Sequence, residues 1–97
     1  MANVIFTAGS GKRSFNLELG GKTVVIGRSE DADLFVNSPR LSRRHCQVAF
    51  GERGLELKDL GSSNGTYLNG RRILATNLQN GDVIRLGPVA MQYLEIG

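Results

Sequence analysis

The sequence predicts an all-β domain, a sandwich or barrel built from many short strands. Three observations carry that reading. Short runs rich in β-branched and apolar residues recur at regular spacing between turn signals. Asn-Gly pairs occur at Asn64-Gly65, Asn69-Gly70 and Asn80-Gly81, a dipeptide that favours the positive backbone angles of tight turns. No window long enough for a helix repeats its apolar residues with a 3.6-residue period.

Taken in order, the expected strands lie near Val4–Thr7, Phe15–Leu19, Thr23–Ile26, Leu34–Val36 and Cys46–Phe50, then Leu55–Lys58, Thr66–Leu68, Arg71–Ile73, Val83–Leu86 and Met91–Ile96. Alternation is plain in Phe15, Leu17 and Leu19. It is plain again in Leu55 and Leu57, which face away from Glu56 and Lys58. No linker, low-complexity tract or internal repeat interrupts them.

The chain has 97 residues, which suits one domain spanning 1–97. Its 40% hydrophobic content supplies a packed interior, and its 22% charged content is ordinary for a globular chain. No apolar stretch matches a membrane span or a signal peptide, so no membrane partner and a cytoplasmic location are expected. The single cysteine, Cys46, has no internal disulfide partner, in keeping with a reducing compartment. Net charge is a mild +3, but it is unevenly placed. Leu34 to Gly51 carry no Asp or Glu and include Arg40, Arg43 and Arg44. A local basic patch of this kind suits a compact anionic ligand better than a long polyanion.

Enzymatic readings fail on context. Gly21-Lys22-Thr23 ends like a phosphate-binding loop, but Asn16 stands where the pattern needs glycine. Gly11-Lys12 finds Phe6 at that place, and no helix follows either segment. Ser42, His45 and Asp59 or Asp82 could be written as a triad, yet no nucleophile elbow surrounds Ser42. One His and one Cys fall short of a zinc ligand set. His45 is expected to be a structural hydrogen-bonding residue and Cys46 a small buried hydrophobe. No enzyme activity, metal or cofactor is expected.

Three loop segments remain: Gly27-Arg28, Ser38 to His45 (SPRLSRRH), and Asp59 to Gly70 (DLGSSNGTYLNG). Each alone reads as a strand end, a solvated basic loop or a pair of turns. Gathered at one end of a rigid sandwich they form an inventory for a phosphorylated peptide. Arginine forks offer paired donors to phosphate oxygens, Ser42 adds a hydroxyl, and Asn64 offers an amide that can grip a peptide backbone. A nucleic-acid binder is a rival reading, but no aromatic residue lies between Arg40 and Arg44 to stack on bases. A second rival keeps the fold with a decayed site, against which stand Arg28, Ser42 and Asn64 together.

The ordered set Gly27-Arg28, Ser42-Arg43-Arg44-His45, Asn64-Gly65-Thr66, Asn69-Gly70, Gly81-Asp82 and Leu86-Gly87 resembles the forkhead-associated (FHA) domain family over nearly the whole chain. The resemblance implies a β-sandwich of about eleven short, mainly antiparallel strands with binding loops at one end. It implies recognition of phosphothreonine peptides made by Ser/Thr kinases, in a domain belonging to a larger protein and monomeric in isolation. Arg28 and Ser42 resemble direct phosphate ligands, and Arg40 a supporting cation. Asn64 resembles the asparagine that holds the peptide backbone, and Ser63 a neighbour lining the methyl pocket. Arg43 stands where some members have asparagine, within the same binding segment. Gly27, His45, Gly65 and Thr66 resemble scaffold that shapes the loops. The segment after Asn80-Gly81, which the resemblance makes a selectivity loop, is short.

Overall fold

The computed structural model describes residues 3–8, 13–18 and 23–96, with side chains from 23 to 94. The strands are β1 (Asn3–Ala8), β2 (Arg13–Glu18), β3 (Val24–Gly27), β4 (Leu34–Phe35), β5 (Cys46–Gly51) and β6 (Gly54–Asp59), then β7 (Thr66–Leu68), β8 (Arg71–Ile73), β9 (Ala75–Asn77), β10 (Val83–Leu86) and β11 (Val89–Ile96). No helix occurs among the described residues, and hence none long and apolar enough to cross a membrane. The strands form a six-stranded sheet, ordered β2-β1-β11-β10-β7-β8, and a five-stranded sheet, ordered β4-β3-β5-β6-β9. Among the pairings given for the described residues, only β3 with β4 runs parallel. The Gly11-Lys12 and Gly21-Lys22 segments, and Leu19 at the end of an expected strand, lie outside the described residues.

The two sheets meet through alternating side chains. Leu55 and Leu57 of β6 are buried while Glu56 and Lys58 between them are exposed. In β10, Ile84 and Leu86 point inward and Val83 and Arg85 outward. Ile26, Val48, Leu57, Ile84, Leu86, Met91 and Tyr93 are essentially inaccessible to solvent and make the centre of the core. Each such side chain contributes about 1.5–3 kcal/mol relative to exposure. That core is what fixes the strand ends, and so the loops, in place.

Strand β9, Ala75–Asn77, was not anticipated from sequence. It is a three-residue edge strand with mostly exposed positions, so it carries no apolar alternation to betray it. Asn69-Gly70 closes the two-residue turn between β7 and β8, with φ of 49° and 87°, the pair of left-handed angles that Asn-Gly tolerates best. One expectation needs correction. The segment after Asn80-Gly81 is at the far end of the sandwich, away from the binding loops, because β10 begins there and ends at Leu86 opposite Thr66. Its chemistry is structural. Asp82 accepts from Asn69 Nδ2 at 3.0 Å and from the Gln79 N–H at 2.7 Å, while Asn69 Oδ1 accepts the Val83 N–H at 2.9 Å. The turn that approaches the binding loops is instead Gly87-Pro88, between β10 and β11.

Candidate functional site

The ends of β3, β6 and β10 and the starts of β5, β7 and β11 fall at the same end of the sandwich. The loops leaving them bring Arg28, Arg40, Ser42, Arg43, Ser63 and Asn64 into one cluster. The connection is made largely by backbone. The Arg28 N–H donates to the Ser42 carbonyl at 3.0 Å, and the Ser29 N–H to the Arg43 carbonyl at 3.1 Å. Gly27 makes this approach possible: a Cβ there would lie 2.0 Å from the Arg43 oxygen, closer than any side chain can stand. Arg28 Nε donates to the Leu41 carbonyl at 3.1 Å, which aims the guanidinium from its stem.

His45 ties this loop to the next. It is fully buried. Its Nδ1 accepts the Ser42 N–H at 3.1 Å, so the ring proton resides on Nε2, which donates to the Gly65 carbonyl at 2.8 Å. Both ring nitrogens are therefore satisfied within the scaffold. The Ser42 hydroxyl oxygen accepts the Ser63 N–H at 3.1 Å, which leaves its own proton to donate outward. Asn64 Nδ2 donates to the Arg40 carbonyl at 2.5 Å, with its second N–H and its Oδ1 still available.

Beneath Asn64 lies an organiser that sequence reasoning passed over except as a triad member. Asp59 Oδ1 accepts the Ser62 hydroxyl at 2.5 Å and the Thr66 hydroxyl at 2.7 Å; Oδ2 accepts the N–H groups of Gly61 at 3.0 Å and Ser62 at 3.1 Å. The Ser62 oxygen in turn accepts the Gly65 N–H at 3.0 Å. Partial burial alone would raise the Asp59 carboxyl, but these hydrogen bonds outweigh it and hold the group below its ordinary 3.8. An Asp followed three residues later by Ser is the visible trace of such a turn. Gly65 needs its φ of 86°, a left-handed angle, to carry the chain from Asn64 into β7.

Arg28, Arg40, Arg43 and Arg44 are exposed, and none has a carboxylate partner among the described residues. Three of them, Arg28, Arg40 and Arg43, stand in the loop cluster with no acidic partner and present a field suited to a dianion. The triad that can be written from Ser42, His45 and Asp59 or Asp82 is not assembled. His45 faces the Ser42 backbone, not its hydroxyl; Asp59 is committed to its own turn, and Asp82 is at the far end. Cys46 is fully buried, and burial, followed by the nearby Asp59 charge, pushes its thiol up to about 12, leaving it an inert core residue. The described residues hold no group of three or more His, Cys, Asp or Glu able to bind a metal. An open cleft of about 560 Å³ adjoins the cluster, with Arg40 and Asn64 in its wall.

Comparison with known proteins agrees with this arrangement. The FHA domain family model matches residues 24–87. The oxoglutarate dehydrogenase inhibitor of Corynebacterium glutamicum is 36% identical over 72 residues, covering 74% of this chain and 50% of that protein. This chain thus spans about half the length of the curated relatives it matches. A structure solved in work on phosphothreonine-dependent FHA domain interactions superimposes with a TM-score of 0.86 at 31% identity, over 98% of each chain. EmbR of Mycobacterium tuberculosis, in complex with a low-affinity phosphopeptide, superimposes with a TM-score of 0.86 at 27% identity, over 95% of this chain and 24% of that one. On this evidence the chain belongs to the FHA domain family.

Proposed function

We propose that this domain is a non-enzymatic reader of phosphothreonine, binding partner proteins that a Ser/Thr kinase has phosphorylated. The observation that carries the reading is the pairing of the Ser42 hydroxyl, whose own proton is uncommitted, with the exposed Arg28 guanidinium. They are held on loops that Gly27, His45 and Asp59 lock together, beside exposed cations with no internal partner. Arg28 and Ser42 bind the phosphate, with Arg43 and Arg40 adding positive charge. Asn64 grips the peptide backbone next to the phosphothreonine through its free N–H and Oδ1, and Ser63 borders the methyl group. Gly27, His45, Gly65 and Thr66 support these positions without touching ligand. No cofactor takes part.

The domain acts within a longer protein as a single binding unit over residues 1–97, monomeric by itself, in the cytoplasm where a lone thiol stays reduced. The test is calorimetric titration with one peptide in phosphothreonine and unphosphorylated forms. Saturable binding of the first and none of the second is expected; equal binding of both removes the proposal.

A further inference from the structure

The cleft beside Asn64 is lined by Arg40, Asn64, Tyr67, Arg85, Gly87 and Pro88, and no acidic side chain is among them. Arg40 and Asn64 belong also to the loop cluster, so this space adjoins any peptide gripped by Asn64. The cleft differs from the phosphate cradle in how its charge is held. Arg85 of β10 pairs across the sheet with Tyr67 of β7, on the outward face of both strands. Its guanidinium lies over the Tyr67 ring, 4.8 Å from the centroid. Stacking of this kind leaves the guanidinium edge free for planar hydrogen bonds while restricting the side chain beforehand, so less freedom is lost when an anion docks. Other parts of the lining are fixed as well. The Arg40 carbonyl is tied to Asn64, and Gly87 packs against Arg40 so closely that a Cβ there would come within 3.4 Å of Arg40 Cβ. Arg85 makes no ion pair among the described residues, so its charge is unspent in the free domain.

We infer that Arg85, stacked on Tyr67 and lining this cleft together with Arg40, is a specificity-determining residue that selects peptides carrying a carboxylate side chain near the phosphothreonine. The inference rests on the phosphothreonine reading and deepens it by naming the class of flanking residue. An aliphatic flanking residue would gain little here, because the walls offer guanidinium and amide groups and the cleft is open to water. A lysine would be repelled by both arginines.

The experiment uses a phosphothreonine peptide with alanine flanks and a set in which one Asp is moved through the flanking positions, titrated by calorimetry at low and moderate salt. At least one Asp peptide should bind roughly three- to fivefold tighter than the alanine peptide, the scale of a solvent-exposed ion pair. That ratio should shrink as salt rises. In Arg85→Ala the ratio should fall markedly, leaving only the share due to Arg40, and in Arg85→Glu the Asp peptide should lose its advantage over the corresponding Lys peptide. If Arg85→Ala keeps the Asp preference undiminished, or if no Asp position improves binding, the assignment of Arg85 is wrong while the phosphothreonine reading stands. If no phosphopeptide binds the unsubstituted domain, both readings fall.

Discussion

Replacing His45 with alanine separates the roles of scaffold and ligand contact most sharply. The ring is fully buried and bridges two loops, accepting from the Ser42 N–H and donating to the Gly65 carbonyl. Its loss leaves the Gly65 carbonyl buried without a partner, at a cost of about 1–3 kcal/mol. The Ser42 N–H is only partly buried and can recruit water, which puts it near the lower end of that range, about 1 kcal/mol. The void left by the ring adds lost packing, so the whole destabilisation comes to about 3–5 kcal/mol. For a domain of this size that lowers Tm by roughly 15–25 °C. Thermal unfolding followed by circular dichroism measures it. His45→Gln should lose less, since the amide N–H can reach the Gly65 carbonyl in place of Nε2. A His45→Ala protein that melted with the parent yet failed to bind phosphopeptide would place the imidazole in contact with ligand and overturn its scaffold role.

Other perturbations read other parts of the site. Arg28→Ala should reduce phosphopeptide affinity by about 2–5 kcal/mol, beyond detection for a modest-affinity module, with little change in Tm because the side chain is exposed; calorimetry with parallel melting checks both halves. Gly27→Ala forces a methyl group onto the Arg43 carbonyl, so stability and binding should fall together as β3 and the Ser42 loop part, seen as a lowered Tm and a weakened titration. The Asp59 carboxyl is held below its ordinary 3.8, so the stability it adds is complete above that value and is lost as pH falls through its lower folded value. Acid unfolding of Asp59→Asn should lack that portion of the pH dependence. A phosphothreonine peptide should bind about 10- to 200-fold tighter than its phosphoserine counterpart, from burial of one methyl group. That preference should survive moderate salt, where charge contacts weaken and methyl burial does not.

The sequence displayed the parts of this molecule whose physics is local. Alternation in Leu55 and Leu57 marks a strand because one face of it is packed and the other wet. Asn69-Gly70 marks a turn because its two residues accept left-handed angles. Arg28, Ser42, Ser63 and Asn64 were recognisable as a set, and they do meet at one end. Features that depend on long-range contact were not legible. Strand β9 exists because Lys58 and Glu56 offer it an edge, not because of its own residues. The position of Asn80-Gly81 at the far end follows from the length of β10, which no dipeptide reveals. Asp59 looked like a spare carboxylate, since four of its hydrogen-bond donors come from three residues that fold back on it only in the finished loop. Arg85 and Tyr67 are 18 positions apart, and only the β7–β10 register sets one over the other.

Amide chemical-shift mapping by two-dimensional NMR tests the central claim most directly. The domain is titrated with a phosphothreonine peptide and, separately, with the same peptide unphosphorylated. The expected result is a set of shifts confined to the phosphorylated titration and centred on Arg28, Ser42, Arg43, Ser63 and Asn64, with the far-end turn at Asn69 and Asp82 unmoved. Shifts centred on that far end, or the same shifts from both peptides, would contradict phosphothreonine recognition by these loops.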